Sequence, residues 1–536
     1  MSTETERPAS TAATDWDLHS HQDKELVKGL GLTSATMLVM GSMIGSAIFI
    51  VSAEISREVS SPALLIMAWL VTGFLTIVAA VSYGELAAMM PRAGGQYVYL
   101  REALGPLWGF LYGWTLFLVI QTGTIAAVSV SFGKFLGFFF PSISSSNWIF
   151  HFFKVPPIHV GPMVLGNMET GLNTQNLVAI LVVAVLSIVN IFGLKTGAMI
   201  QNVFTFAKIS ALSALALLGF FVSRNAPGLV ANFQGKFWHG ASWSAQHAVQ
   251  VGVGGPTVLV DTLTILAIAQ VGSLFAADAW NNVTFAAGEV KNPSRNLPLS
   301  LALGTGVVIA LFIACNITYI NILPLDGNPM GTTVLERGIK YAIEDRVGTA
   351  VMSQVLGTTG GELMAIAIMI AAFGCCNGLI LAGSRVYYAM AKDGLFFKSV
   401  ATLHPIYKTP AVSLLVQMVW ACILCVSGSY GQLLDYIIFA VLVFYILTIL
   451  GLFLLRRTHP NAERPYRAFG YPVLPAIYVL MAAFIDFVLL RYKPQYTWPG
   501  LIIVLLGIPV YLAWSRHSAE TITEFQASVD TSFQAK

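Results

Sequence analysis

Runs of eighteen or more apolar residues recur along the whole of this chain, each long enough to cross the hydrocarbon core of a bilayer as a helix. In lipid every backbone N–H and C=O must be satisfied within the protein, which makes helices of such runs. Twelve spans can be drawn, over about 31–53, 62–89, 105–140, 176–192, 200–222, 263–285, 299–322, 363–390, 411–428, 433–455, 473–490 and 499–514. The expected fold class is therefore an all-α polytopic membrane protein with about twelve transmembrane helices. The 56% hydrophobic and 10% charged composition agrees. A net charge of +3, scattered along the chain, gives no reason to expect a nucleic-acid partner. All five cysteines fall in apolar runs, and no histidine pair has ligand spacing beside carboxylates. No cofactor or metal is expected. The spans hold no paired nucleophile and base, so neither is an enzyme.

Orientation follows from lysine and arginine in the short loops. Arg92, Arg101, Lys195, Lys291, Arg295 and the cluster Arg456, Arg457, Arg464 and Arg467 fall on one side, taken as cytoplasmic. Both termini then lie inside, with a cytoplasmic N-terminal tail over 1–30 and a C-terminal tail over 515–536. The N-terminal tail has no signal-peptide pattern. Spans one to five occupy 31–222 and spans six to ten 263–455, nearly equal lengths. Five is an odd number, so two such halves run in opposite directions through the membrane. That is a five-plus-five inverted repeat, with helices eleven and twelve (473–514) left over. In such a fold the first helix of each half is broken at the binding site.

Both halves carry a weak point there. In the first span, Gly41, Ser42, Gly45 and Ser46 lower helix propensity at mid-membrane depth. Small residues four apart also suit close helix packing, so this stretch alone leaves two readings open. In the sixth span, Asp278 is a carboxylate inside a membrane segment, followed by Asn281 and Asn282. Intramembrane acids face cavities and partner a cation or proton. Asp278 also suits the cap of a short helix starting near Trp280, and the two roles are compatible.

Several motifs, in order, resemble the amino acid–polyamine–organocation superfamily of amino-acid permeases, close to its L-type amino-acid transporter branch. Gly41-Ser42-Met43-Ile44-Gly45-Ser46-Ala47-Ile48-Phe49 resembles the family's first-helix G-x-I-I-G-S-G-I-F. Pro91-Arg92-Ala93-Gly94-Gly95-Gln96-Tyr97 is similar to its P-[KR]-[SA]-G-G-[DE]-Y loop. Phe275-Ala276-Ala277-Asp278-Ala279-Trp280-Asn281 resembles F-A-Y-[DG]-G-W-N. Further stretches are shared at Glu289–Pro293, at Ser384-Arg385 and at Arg464–Arg467. The resemblance implies amino-acid transport by alternating access, with substrate bound at Met43, Ile44, Gly45, Ser46, Ala47, Phe275, Ala276 and Asp278. Backbone N–H groups around Gly45, Ser46 and Ala47 would take the carboxylate, as a half-helix N-terminus can. Carbonyls near Met43 and Phe275 would take the ammonium, and Phe275 would gate the site.

Phe204-Thr205-Phe206-Ala207-Lys208 resembles a fifth-helix motif in which the lysine replaces a structural cation, implying sodium independence or a proton-linked role for Lys208. Read from its position alone, Lys208 is also placed to snorkel to the interface. Ala47 stands where the family pattern has glycine, and Ala277 and Ala279 depart from the sixth-helix motif. Gln121, Thr124 and Asn377 are polar positions in apolar spans, suited to a side-chain pocket or to hydrogen bonds between helices. Glu85, near a cytoplasmic end, suits a gate or loop contact. The loop 141–175 has no cysteine, so the disulfide-linked accessory subunit of animal L-type members is not expected. The functional expectation is a sodium-independent amino-acid transporter of the plasma membrane, working by exchange or proton-linked uptake. The alternatives are a polyamine or cationic amino-acid carrier and, with such short tails, less readily an amino-acid-sensing transceptor.

Overall fold

The computed structural model describes residues 26–514, apart from residues 157, 161–162, 166–167, 223–225, 252–254, 427–429 and 495–496. The expected tails over 1–30 and 515–536 lie almost wholly outside the described residues. Nine helices among those residues are long and apolar enough to cross a membrane, and three shorter apolar ones complete the twelve expected spans. The short ones are Leu32–Met43, Thr262–Ala276 and Ala411–Cys425. Two of these three are the spans expected to break.

The first span is α1 (Leu32–Met43), an irregular link, a 3-10 turn over Ala47–Phe49, and α2 (Val51–Val59). The second is α3 (Pro62–Met89), followed by a short helix α4 (Gln96–Leu104). The third joins α5 (Pro106–Thr115) to α6 (Gln121–Leu136) through a π-helical turn over Leu116–Ile120. The fourth and fifth are α7 (Thr174–Ile191) and α8 (Leu194–Val222), with a short α9 (Pro227–Phe233) beyond. The sixth is α10 (Thr262–Ala276), a link over 277–281, and a single turn α11 (Asn282–Phe285). The seventh is α12 (Pro293–Ile322), and α13 (Val334–Arg337) lies in the connection after it. The remainder are α14 (Val347–Lys392), α15 (Ala411–Cys425), α16 (Tyr430–Thr458), α17 (Val473–Tyr492) and α18 (Thr497–Trp514).

The eighth span differs from expectation in where it starts. Helix α14 begins at Val347, and Gly357, at φ 69°, kinks it before the expected start at 363. The long connections are also partly ordered. Residues 141–175 hold β1 (Trp148–Val155), β2 (Ile158–Val160), β3 (Met163–Leu165) and β4 (Met168–Asn173), pairing β1 with β4 and β2 with β3 antiparallel. Residues 223–262 hold a hairpin of β5 (Gln246–Gln250) and β6 (Thr257–Asp261).

The helix pairings carry the symmetry. Adding five to each span number turns α1 on α12 into α10 on α3, α8 on α14 into α16 on α6, and α1 on α8 into α10 on α16. The pairs α3 with α12, α6 with α14 and α7 with α15 map onto themselves. Every one of these pairs is packed, which is the pattern an inverted five-plus-five repeat requires. Large apolar side chains such as Leu70, Phe74, Phe206 and Phe220 face outward from the bundle, where a bilayer would cover them.

Candidate functional site: two broken helices and a polar cavity

Helix α1 ends where Ile44 turns extended (φ −76°, ψ 94°), and residues 44–46 leave the helix before the 3-10 turn. Glycine serves two purposes here. A Cβ on Gly41 would lie 2.0 Å from Gln201 Nε2 and 2.2 Å from Thr205 Oγ1, so Gly41 lets α1 touch α8. A Cβ on Gly45 would come within 3.2 Å of Cys375 Sγ on α14. Both readings of the opening motif therefore hold, at different glycines: Gly41 packs and Gly45 lies in the break.

The break exposes backbone groups, and their partners are specific. Lys208 Nζ, fully buried, donates to Gly41 O at 2.7 Å and to Ile44 O at 2.8 Å. Lys208 thus pins the unwound end of α1 and does not reach an interface. Cys375 Sγ donates to Ser42 O at 3.0 Å. Gly45 N–H turns back onto Met43 O at 2.9 Å, while Ser46 and Ala47 N–H have no backbone acceptor among the described residues. The hydroxyls of Ser42 and Ser46 are buried without a hydrogen-bond partner among the described residues. Of the three N–H groups expected to receive a carboxylate, Gly45's is occupied in this conformation and the other two are not.

The second break spans 277–281. Asp278 N–H bonds Phe275 O at 3.2 Å, and Ala279 takes a left-handed conformation (φ 64°) that an L residue adopts at a cost. The family pattern has glycine at that position. Ala276 O receives no backbone N–H. Asp278 Oδ1 accepts from Tyr445 OH at 2.6 Å.

Asp278 lines a polar cavity with Tyr112, Gln121, Thr124, Asn281, Asn282 and Tyr445. In this conformation it has room for about one water molecule. The third span is shaped to it: the π turn ends at Ile120, and Leu116, Ile120, Gln121 and Thr124 face the cavity from that turn and the helix after it. Such bulges mark functional positions in helices. Gln121 Nε2 donates to Leu379 O at 2.8 Å across the cavity wall. Asn282 Nδ2, buried and lining the cavity, has no partner among the described residues. Asn377 is elsewhere. It bonds Asn190 Nδ2, Gly197 O and Gln201 Oε1 between α7, α8 and α14, so of its two readings the interhelical one describes its position. Of the eight residues expected to bind substrate only Asp278 lines this cavity; Met43, Ile44, Gly45, Ser46, Ala47, Phe275 and Ala276 are buried but do not.

Three polar cavity residues are not singled out as site residues by the sequence: Tyr112, Gln96 and Tyr445. A tyrosine in an apolar span is the available signal, since its hydroxyl needs a partner when buried. Tyr445 also packs edge-on to Tyr83 and against Trp280, and Trp280 edge-on to Tyr83.

Ion pairs close both ends of the bundle. At the near end, where the chain enters, Arg385 makes a two-pronged bond to Glu289 at 3.0 and 3.1 Å, with both side chains buried. Gly29 and Leu30 N–H bond Glu289 O, which ties the start of α1 to the end of the sixth span. Glu85, fully buried, holds Arg456 at 2.6 and 2.9 Å, Arg464 at 3.3 Å and Ala468 N–H at 2.6 Å. This is the loop contact expected of it. At the far end, Arg57 pairs with Asp345 at 2.6 Å and Lys493 with Glu58 at 2.9 Å, all partly exposed.

A helical bundle with two unwound spans and a buried polar cavity beside the second of them is the architecture of a membrane transporter. The family model for amino acid permeases matches residues 30–512, and the chain belongs to that family, whose members carry solutes and are not enzymes. It is similar to the serine/threonine exchanger SteT of Bacillus subtilis, 26% identical over 93% of this chain and 99% of the relative. It is also similar to the human b(0,+)-type amino acid transporter 1, 25% identical over 93% of this chain and 91% of the relative. The human large neutral amino acids transporter small subunit 2 is 26% identical over 93% of this chain and 83% of its own length.

Proposed function

We propose that this chain is a sodium-independent amino-acid exchanger working by alternating access. Residues 31–222 and 263–455 are read as its two inverted repeats, residues 473–514 as two added helices, and 1–30 and 515–536 as cytoplasmic tails in the plasma membrane. The observation that carries the reading is Lys208, whose ammonium bonds the two carbonyls freed by the break in α1. A resident positive charge at that break leaves no need for a sodium ion there. Ser46 and Ala47 N–H, with the free Ser46 hydroxyl, supply donors for a substrate carboxylate. Met43, Phe275 and Ala276 carbonyls supply acceptors for the ammonium, and Ile44 and Gly45 complete the turn. The side chain then extends toward Asp278, Gln121 and Thr124. The name of one relative, an exchanger of serine and threonine, supports exchange as the mode. No disulfide-linked accessory subunit is proposed, because the 141–175 connection has no cysteine.

One observation favours a second reading. The Asp278 carboxylate, buried in the cavity beside Tyr445, suits a substrate with a cationic side chain or a polyamine. A single experiment separates the two. Purified protein in sodium-free liposomes is loaded with unlabelled amino acid and offered labelled L-serine, L-leucine or L-arginine outside. Exchange of serine or leucine supports the first reading, and exchange of arginine alone supports the second. Strict dependence on added sodium refutes the role given to Lys208.

A further inference from the structure

The two amides at the second break differ in what holds them. Asn281 Nδ2 donates to Gln96 Oε1 at 2.8 Å, Gln96 Nε2 to Thr448 Oγ1 at 3.1 Å, and Thr448 Oγ1 to Phe444 O at 2.7 Å. That chain ties the link after α10 to α4 and α16, so Asn281 has a structural task. Asn282 has no such tie. It is 1% exposed, and its Nδ2 has no hydrogen-bond partner among the described residues. A buried amide N–H left unmet costs free energy, so its presence calls for an explanation.

The surroundings of Asn282 supply one. Other side chains of the same cavity wall are engaged: Tyr445 OH donates to Asp278 Oδ1 at 2.6 Å, Thr124 Oγ1 to Ile120 O at 2.6 Å, and Gln121 Nε2 to Leu379 O at 2.8 Å. The wall thus offers a ligand the Asn282 N–H together with the Asp278 carboxylate, which can accept further bonds. The first break is close by. On α14, Cys375 Sγ bonds Ser42 O, and Leu379, four residues on and on the same face, lines the cavity. Four residues are about 6 Å of helix. An amino acid held at the first break therefore meets the cavity with the first atoms of its side chain.

Size and chemistry narrow what those atoms are. The cavity has room for about one water molecule, which suits a terminal hydroxyl and not a guanidinium or an aromatic ring. A hydroxyl also matches both partners, since its oxygen accepts from Asn282 Nδ2 while its hydrogen goes to Asp278. A methyl group meets neither. A cationic head only donates and leaves the Asn282 N–H unmet. Resting on the reading of this chain as an amino-acid exchanger, we propose that Asn282 is a specificity-determining residue that bonds the side-chain hydroxyl of the substrate. Amino acids with a side-chain hydroxyl are then preferred over their aliphatic counterparts of equal size.

The test uses the full chain in sodium-free liposomes, with counterflow of labelled L-threonine, L-valine, L-leucine and L-arginine, each against its own unlabelled form. Threonine and valine have nearly the same shape and differ by a hydroxyl in place of a methyl, so the ratio of their KM values isolates the bond. In the wild type the KM for threonine should be about tenfold below that for valine. Asn282→Ala and Asn282→Leu remove the amide and should bring the two KM values to within about twofold of each other. Valine bound as well as threonine by the wild type overturns the proposal. So does a threonine preference that survives in a monodisperse variant, or aggregation of both variants, which would make the amide structural. Counterflow of L-arginine alone overturns it as well and leaves the chain a carrier of cationic substrates. Absence of wild-type counterflow with every probe overturns the exchanger reading, and the proposal with it.

Discussion

Lys208→Met isolates the pin on the broken first helix. Methionine keeps the buried apolar stem and removes only the ammonium. Gly41 O and Ile44 O then lose the donor that sits 2.7 and 2.8 Å from them. An unsatisfied buried carbonyl costs about 1–3 kcal/mol, so the pair costs about 2–6 kcal/mol. Part of this returns, because a buried ammonium no longer has to be kept from water. Even the low end, about 2 kcal/mol, corresponds to a factor of about 30 in the population of the correctly broken helix. Sodium-free counterflow in liposomes should therefore fall by about that factor while the protein remains monodisperse. Gly374→Ala is the companion variant. Its Cβ would come within 2.9 Å of Lys208 Cε and 2.6 Å of Phe204 Cβ, displacing the lysine without removing its charge. The same direction of change, smaller in size, is expected. Exchange by Lys208→Met within about threefold of wild type, a cost below 1 kcal/mol, would refute the reasoning.

Other substitutions probe the second break and the near end. Asp278→Asn keeps an acceptor for Tyr445 but removes the charge; a cationic probe should weaken about tenfold more than a neutral one, since charged hydrogen bonds are about twice as strong. Equal binding of L-arginine and L-leucine before and after would reduce Asp278 to an acceptor for Tyr445. Ala279→Gly relieves a left-handed alanine worth about 1–2 kcal/mol, against about 0.5–1 kcal/mol of added chain entropy. The thermal midpoint should hold or rise, and a clear fall would contradict the strain. Glu289→Gln strips the partner from buried Arg385, a loss of about 3–5 kcal/mol. Faster proteolysis near Leu30 should report the loosened end, and unchanged cleavage would argue against the Arg385–Glu289 pair holding that end in place.

What the sequence reveals of this site is set by residue chemistry rather than by hydropathy. The first break is legible because glycine and serine weaken a helix wherever they cluster, and the second because a carboxylate in an apolar span demands a reason. The π turn is invisible by comparison. Leu116-Phe117-Leu118-Val119-Ile120 reads as any apolar helix, and its extra residue follows from packing against other spans. Asn377 illustrates the converse. A polar residue in a span announces a hydrogen bond but not its direction, and here the partners are on α7 and α8. The fate of each N–H at the break is likewise a matter of a few torsion angles. No propensity distinguishes Gly45, whose N–H folds back on Met43, from Ser46, whose N–H does not.

The two ends of the bundle are closed by contacts of unequal strength, and this bears on the proposed mode of transport. Arg57 and Asp345 at the far end are 36% and 35% exposed, and such pairs contribute about 0–1 kcal/mol. Arg385 and Glu289 at the near end are 1% and 2% exposed, and parting them while either charge stays buried costs about 3–5 kcal/mol. Glu85, with Arg456 and Arg464, adds a second buried tie at the same end. A ligand shifts a conformational equilibrium only by the difference in its affinity for the two states. Opening the near end therefore needs a substrate that binds the opened form more tightly by several kcal/mol, and an empty carrier has no such source. A carrier that reorients loaded far more readily than empty returns only with cargo, and that is the behaviour exchange requires.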